Sequence, residues 1–165
     1  MKRLFLLGLL ALLLASCGSS RKVTDTSVIG SNSSSASEKK INKIVSHAKT
    51  FVGTKYKFGG TTSRGMDCSG LVYVSFQQEN ILLPRISRDM AKEGVPISLR
   101  QAEEGDLLFF QTSKNRKVIN HVGLVVDTGG GVLKFIHSTT RRGVIISSLE
   151  ERYWNEAFVE VRRII

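Results

Sequence analysis

The chain has 165 residues, with 24 Lys and Arg against 14 Asp and Glu, which gives a formal net charge of +10 at neutral pH. This length is enough for one hydrophobic core and too short for two large domains. So basic a chain often binds nucleic acid. However, no block of clustered basic residues and no nucleic-acid motif is present, so we expect no nucleic-acid partner.

Residues 1–16 have the pattern of an export signal. Two basic residues precede an apolar stretch, residues 4–14, and small residues follow it. The stretch is shorter than the roughly 20 apolar residues that span a membrane, but it suits a secretory signal. The four residues that end in Cys17 resemble a bacterial lipobox, which implies cleavage before Cys17 and lipidation of that residue. The alternative is an ordinary signal with an incidental cysteine.

Residues 17–37 are predicted to form the lipidated cysteine and a flexible tether. They are dominated by Ser, Thr, Gly and Asn, and so they bury too little apolar surface to fold. Acyl chains on Cys17 would anchor the protein to a membrane without spanning it. Gly18 stands where an inner-membrane retention signal usually has Asp. By resemblance to Gram-negative lipoproteins, this implies the outer membrane, with the protein facing the periplasm.

Residues 38–165 are predicted to form one α+β domain. Apolar residues recur at helical spacing over residues 38–52, and two further helices are predicted at 67–79 and 87–94. Strand patterns then follow at residues 106–111, 121–127, 132–138, 144–147 and 158–163. Helices followed by a meander of strands indicate an antiparallel β-sheet packed on the N-terminal helices.

Cys68 is the only thiol left in the mature protein if Cys17 is lipidated, so it has no intramolecular disulfide partner. Asp67, Ser69 and Gly70 surround it just before an apolar run, which is a helix-start signal. The sulfur would then lie at the positive end of a helix dipole, where the thiolate is favoured. We therefore predict that Cys68 is a nucleophile.

A thiol nucleophile needs a base, and the chain has three histidines: His47, His121 and His137. His121 begins a predicted strand, where Gly123 would leave open space beside it, and His137 lies where it could pair with His121 across the sheet. His47 has no polar companions and is read as a surface or packing residue. A lone strand histidine is more often structural than catalytic, so spacing alone leaves His121 and His137 open. Ligand spacing for a metal is absent, and we expect none.

Four motifs occur in order: Tyr-Lys-Phe-Gly-Gly at 56–60, Asp-Cys-Ser-Gly-Leu-Val at 67–72, Gly-Asp-Leu-Leu-Phe-Phe at 105–110 and His-Val-Gly at 121–123. Together they resemble the NlpC family of cell-wall cysteine peptidases, over essentially the whole predicted domain. The resemblance implies a papain-like NlpC-type fold. It also implies hydrolysis of peptide bonds in the stem peptides or cross-links of peptidoglycan. It implies no metal or organic cofactor, and we expect a monomer.

The resemblance also implies catalytic roles. Cys68 would be the nucleophile that forms an acyl-enzyme. His121 would be the general base and acid, and His137 would orient His121, completing a Cys-His-His triad.

Three further residues match substrate-site positions of the family. Tyr56 would stabilise the oxyanion or position substrate, or would simply pack. Asp67 and Ser69 would line the substrate cleft, although Asp67 equally suits a helix cap. Arg85 and Arg88 could bind substrate carboxylates, but a solvated surface role is the more ordinary interpretation.

Two other functions remain open at this stage. One is an inactive wall-binding lipoprotein, although such a protein usually lacks a catalytic residue and none of the three is missing here. The other is a papain-like amidase or acyltransferase that uses the same thiolate. The bond cleaved is also open, between the D-Glu to diaminopimelate bond and the D-alanine to diaminopimelate cross-link.

Overall fold

The structure, a computed structural model, describes residues 29–113 and 118–165, with side chains described from residue 34 onward. The predicted signal peptide, residues 1–16, and the predicted lipidation site, Cys17, lie outside the described residues. In the part of the chain that is described, no helix is both long and apolar enough to cross a membrane.

The described residues form four α-helices: α1 (Ile29–Lys49), α2 (Cys68–Gln77), α3 (Ser87–Met90) and α4 (Arg152–Ala157). The first three correspond to predicted helices, whereas α4 was not predicted. Helix α1 starts well before residue 38, so residues 29–37, which we interpreted as the end of the tether, are helical. Once the amphipathic part of a helix is packed against the domain, extending the helix through Ser and Ala costs little free energy, because propagation of a helix costs far less than its nucleation.

Eight strands are present in the described residues. A two-residue hairpin, β1 (Thr61–Thr62) and β2 (Gly65–Met66), stands apart from the main sheet. The other strands are β3 (Val95–Ile97), β4 (Leu107–Phe110), β5 (His121–Asp127), β6 (Lys134–Thr139), β7 (Gly143–Ser148) and β8 (Phe158–Arg163). They form an antiparallel sheet in the order β3-β8-β4-β5-β6-β7.

The α+β prediction is confirmed. All five predicted strands are present, and β1, β2 and β3 were missed. Strand β3 contains Pro96 and lies at an edge of the sheet, where a missing backbone N–H is tolerated.

Both faces of the central strands are covered. In β4, Leu107 and Phe109 belong to the core shared with α1 and α2, whereas Leu108 and Phe110 belong to a second core with Trp154 of α4. Alternate residues of a strand point to opposite faces, so a strand that is buried on both sides has a continuous apolar sequence. This layering places the start of α2 and the start of β5 near each other.

Candidate active site

Cys68 is the first residue of α2 and is half-buried. The helix begins here because Asp67 is its N-cap: Asp67 has an extended backbone (φ −93°, ψ 178°), and its carboxylate accepts a hydrogen bond from the backbone N–H of Gly70 at 2.6 Å. The structure therefore places the thiol at a helix N-terminus, as the sequence predicted.

The Asp67 carboxylate is buried and is held by Arg85. Nη1 and Nη2 of Arg85 donate to Oδ1 and Oδ2 of Asp67, each at 2.9 Å, in the bidentate geometry that suits a guanidinium and a carboxylate. The backbone N–H of Gly59 donates to Oδ2 at 2.7 Å, and Nη1 of Arg85 also donates to Oγ of Ser69 at 3.0 Å. This network fixes the entry into α2 directly beside Cys68.

These contacts bear on the expected roles of Asp67, Ser69 and Arg85. The geometry of Asp67 is that of a helix cap and ion-pair partner, and neither Asp67 nor Ser69 is among the described residues that line the main cavity. Their contact with substrate stays a prediction. Arg85, for which we favoured a solvated role, is an internal partner of Asp67. Sequence reasoning missed this pair because 18 residues separate its members.

The structure brings His121 and His137 together. Nε2 of His121 lies 2.9 Å from Nδ1 of His137, in a hydrogen bond between the neighbouring strands β5 and β6. Both side chains point to the sheet face that α4 covers, because Val122 and Ile136 point to the other face. The expected open space at Gly123 is absent, since the ring of Phe135 fills it and would collide with a Cβ there.

An aromatic wall surrounds the two imidazoles. Trp154 stacks on His121 with ring centroids 5.2 Å apart at 21°, and it meets His137 edge-on at 4.5 Å and 83°. Phe135 lies 4.7 Å from His137, and Phe110 lies 5.9 Å from His121. No role at the site was predicted for Trp154.

Burial makes both histidines reluctant to take up a proton. It lowers the pKa of His121 to about 4; burial, together with the charges of His121 and Arg142, lowers the pKa of His137 to about 2. Both imidazoles are therefore neutral at neutral pH, and a single proton occupies the hydrogen bond between them.

The hydrogen bond to His137 sets the chemistry of His121. It uses Nε2, so Nδ1 is the ring nitrogen left for the thiol. When Nε2–H donates to His137, Nδ1 carries a free lone pair and can accept a proton. Nε2 of His137 is buried and has no hydrogen-bond partner among the described residues.

The Cys68 thiol is not stabilised as a thiolate at rest. Burial raises its pKa above the ordinary value and outweighs the backbone N–H groups of Val122, Ser69 and Cys68 itself, which act in the opposite direction. The nearby charge of Asp67 also raises it. Our expectation of a favoured thiolate rested on the helix dipole and omitted burial, so the resting site holds a neutral thiol beside a neutral imidazole.

Tyr56, Cys68 and His121 line one cavity of about 730 Å³. Tyr56 is half-buried, and burial, together with the nearby Cys68 and Asp67, raises the pKa of its phenol. A thiol, an imidazole and a phenol thus share one concave space. The cavity is large enough for several residues of an extended peptide.

The NlpC/P60 family model matches residues 53–163. The chain belongs to the NlpC/P60 family. Among curated relatives, "Probable endopeptidase NlpC homolog" of Haemophilus influenzae is 40% identical over 116 residues, which is 70% of this chain and 58% of that protein. "Murein DD-endopeptidase MepS/Murein LD-carboxypeptidase" of Escherichia coli is 30% identical over 172 residues, covering 94% of this chain and 88% of that protein.

Solved NlpC/P60 structures have the same fold. A family member from Bacillus cereus superposes with a TM-score of 0.68 at 28% identity, over 75% of this chain and 40% of that one. The NlpC/P60 domain of the peptidoglycan hydrolase SagA gives a TM-score of 0.62 at 27% identity, over 74% of this chain and 97% of that one. The described domain therefore corresponds to nearly the whole SagA domain and to part of the longer Bacillus protein.

Proposed function

We propose that this NlpC/P60 protein is a peptidoglycan hydrolase, a cysteine endopeptidase that cleaves peptide bonds in the stem peptides or cross-links of murein. One observation carries the proposal: a half-buried thiol at a helix N-terminus shares a cavity with His121, whose far ring nitrogen is hydrogen-bonded to a second imidazole. The relatives named as endopeptidases support it, and one of them, named a murein endopeptidase, aligns with 94% of this chain.

The first chemical step is attack by Cys68 on the carbonyl carbon of the scissile peptide bond. Nδ1 of His121 takes the thiol proton as the sulfur–carbon bond forms, and His137 accepts the hydrogen bond from Nε2–H. The backbone N–H of Cys68 donates to the developing oxyanion, and the Tyr56 hydroxyl, which lines the same cavity, assists.

The low pKa of His121 suits its second task. An imidazolium buried beside this aromatic wall is a strong acid, so it returns its proton readily to the leaving amine as the carbon–nitrogen bond breaks. The products of this half-reaction are a thioester on Cys68 and a free amine. His121 then deprotonates a water molecule, which attacks the thioester and releases the acid and the thiol.

The test is mass spectrometry of muropeptides after detergent-solubilised full-length protein is incubated with purified sacculi. The matched control is the Cys68→Ala variant. New peptide fragments that depend on Cys68 would support the endopeptidase and identify the bond. Release of intact stem peptides from glycan would replace it with an amidase, and identical profiles for the two proteins would favour a wall-binding lipoprotein.

We also infer that the protein is exported, lipidated at Cys17 and anchored in the outer membrane, facing the periplasm. The basis is the lipobox-like segment, with Gly18 after the cysteine. The mass of the N-terminal peptide and membrane fractionation test this inference. An unmodified Cys17, or an unchanged distribution of the Cys17→Ala variant, would contradict it.

A further inference from the structure

Two arginines lie on the turn between β6 and β7, directly after the strand that carries His137. Arg141 and Arg142 are exposed to solvent, and both line the cavity that contains Cys68 and His121. Arg142 is also close enough for its charge to lower the pKa of His137. The turn therefore brings two positive charges to the rim of the site.

The turn has a defined conformation. The backbone N–H of Arg142 donates to Oγ1 of Thr139 at 3.1 Å, and that hydroxyl donates to the carbonyl of Gly143 at 3.3 Å. Gly143 has a φ of +66°, and its neighbour Val144 donates a backbone hydrogen bond to Thr54 at 2.9 Å. A side chain at position 143 would collide with the Thr54 carbonyl. The arginines are thus presented by an anchored turn.

Neither guanidinium group has a bonding partner among the described residues. Neither makes an ion pair or a side-chain hydrogen bond there, whereas Arg85 and Arg163 are bound to buried carboxylates. Among the described residues that line the cavity, Glu151 carries the only carboxylate, and its Oε1 accepts a hydrogen bond from the backbone N–H of Ser148 at 3.0 Å. The rim therefore has an excess of positive charge.

We propose that Arg141 and Arg142 bind a free carboxylate of the substrate peptide, so that the enzyme prefers stem peptides whose carboxyl groups are not amidated. The proposal rests on the proposed function, because it concerns the same cleft. A planar guanidinium binds a carboxylate through two parallel hydrogen bonds, and a carboxamide offers neither the charge nor the second acceptor. In murein stems, D-Glu and diaminopimelate supply such carboxylates beside the bonds under consideration.

The experiment compares hydrolysis of three cross-linked peptide substrates by the full-length protein. One has all carboxylates free, one is amidated at D-Glu and one is amidated at diaminopimelate. One of the two amidated substrates lacks the carboxylate that the arginines bind. For that substrate we expect kcat/KM to be about tenfold lower than for the free acid, which corresponds to the loss of one good ion pair. The Arg141→Gln/Arg142→Gln variant should lose about tenfold on the free acid and should no longer distinguish the substrates.

The matched control is the Lys39→Gln/Arg100→Gln variant. It removes the same formal charge from exposed positions that are not in the cavity lining, and it should keep the preference of the parent protein. Equal hydrolysis of all three substrates by the parent, or an equal loss in both double variants, would overturn the proposal. Thermal unfolding of each variant separates a binding effect from misfolding.

A binding measurement keeps the two proposals apart. The Cys68→Ala variant is titrated with the same three peptides, with and without the two arginine substitutions. If no peptide is cleaved by the parent but the Cys68→Ala protein binds the free acid through the arginines, the carboxylate site stands and the hydrolase proposal fails. Equal affinities for acid and amide would remove the carboxylate site even if hydrolysis is observed.

Discussion

Nε2 of His121 lies 2.9 Å from Nδ1 of His137, and this one contact distinguishes the two histidines. His121 shares a cavity with the thiol and leaves Nδ1 unbonded among the described residues, whereas His137 is fully buried behind it. This arrangement supports the proposal that His121 exchanges a proton with the thiol and that His137 orients His121.

The first prediction ranks the two histidines. His121→Ala should lower kcat/KM by about 10³-fold, because no other base is left, and His137→Ala should lower it by about 10- to 100-fold. His137→Asn should recover part of that loss, since an amide oxygen can also accept from Nε2–H. Steady-state kinetics on a murein peptide measures this, with His47→Ala as a control on α1. The opposite ranking would exchange the two roles.

The second prediction concerns the reactivity of Cys68 toward alkylating agents. Burial raises the pKa of the thiol, so less thiolate is present at pH 7 than in a free cysteine. Iodoacetamide should therefore label Cys68 more slowly than free cysteine at pH 7, and the rate should still be rising at pH 9. Labelling faster than free cysteine at neutral pH would show that the helix N-terminus outweighs burial.

The third prediction concerns stability in acid. An unfolded histidine titrates near 6.5, whereas burial lowers the pKa of His121 to about 4 and that of His137 to about 2. Below pH 6.5 the unfolded chain thus binds more protons than the folded one, so the free energy of unfolding decreases as the pH is lowered. The stabilisation is fully present above pH 6.5 and is lost progressively toward the folded pKa values, at about 1.4 kcal/mol per pH unit for each histidine.

Urea unfolding of the parent and the His137→Asn variant at pH 7, 6 and 5 measures this slope. The variant has one such histidine fewer, so its free energy of unfolding should depend less steeply on pH. Identical slopes for the two proteins would show that His137 does not contribute.

The fourth prediction concerns the contact between Gly123 and Phe135. A Cβ at position 123 would overlap the Phe135 ring and lie 3.3 Å from the Ile136 carbonyl, in a fully buried layer. Gly123→Ala should therefore lower the free energy of unfolding by about 1–3 kcal/mol, as overpacking typically does. Chemical denaturation measures this. Gly129→Ala, on an exposed turn, is the control and should change stability much less.

The fifth prediction concerns Arg85. Arg85→Ala removes both donors of the fork on the buried Asp67 carboxylate and should destabilise the fold by about 2 kcal/mol. Because the same carboxylate caps α2, kcat should fall as well. Arg85→Lys keeps the charge without the fork and should lie between the two proteins. Full stability and activity in Arg85→Ala would mean that the backbone donors of Gly59 and Gly70 are sufficient.

Much of this fold could be predicted from local patterns. The strands that carry His121 and His137 were predicted within two residues, because apolar runs bounded by Gly and Asn are strong strand signals. Helix α2 was likewise marked by Asp67 at its start. By contrast, α4 has six residues, few of them apolar, and it forms because Trp154 packs into the second core.

Contacts between residues that are far apart in the sequence could not be predicted. Nothing local pairs Arg85 with Asp67 or places Trp154 over His121, since each contact depends on the finished sheet. The resting state of Cys68 was mispredicted for the same reason. A helix start is visible in the sequence, but the degree of burial that opposes it follows only from the assembled cavity.

Oγ of Ser138 donates a hydrogen bond of 2.7 Å to the carbonyl of Met66, across 72 positions of the chain. Met66 lies two residues before the thiol, and Ser138 lies directly after His137. The Cys68 thiol and the His121–His137 pair thus meet where the early and late parts of the polypeptide join, and neither part contains both. A chain that is still being synthesised, or is only partly folded, carries the thiol without the two imidazoles beside it.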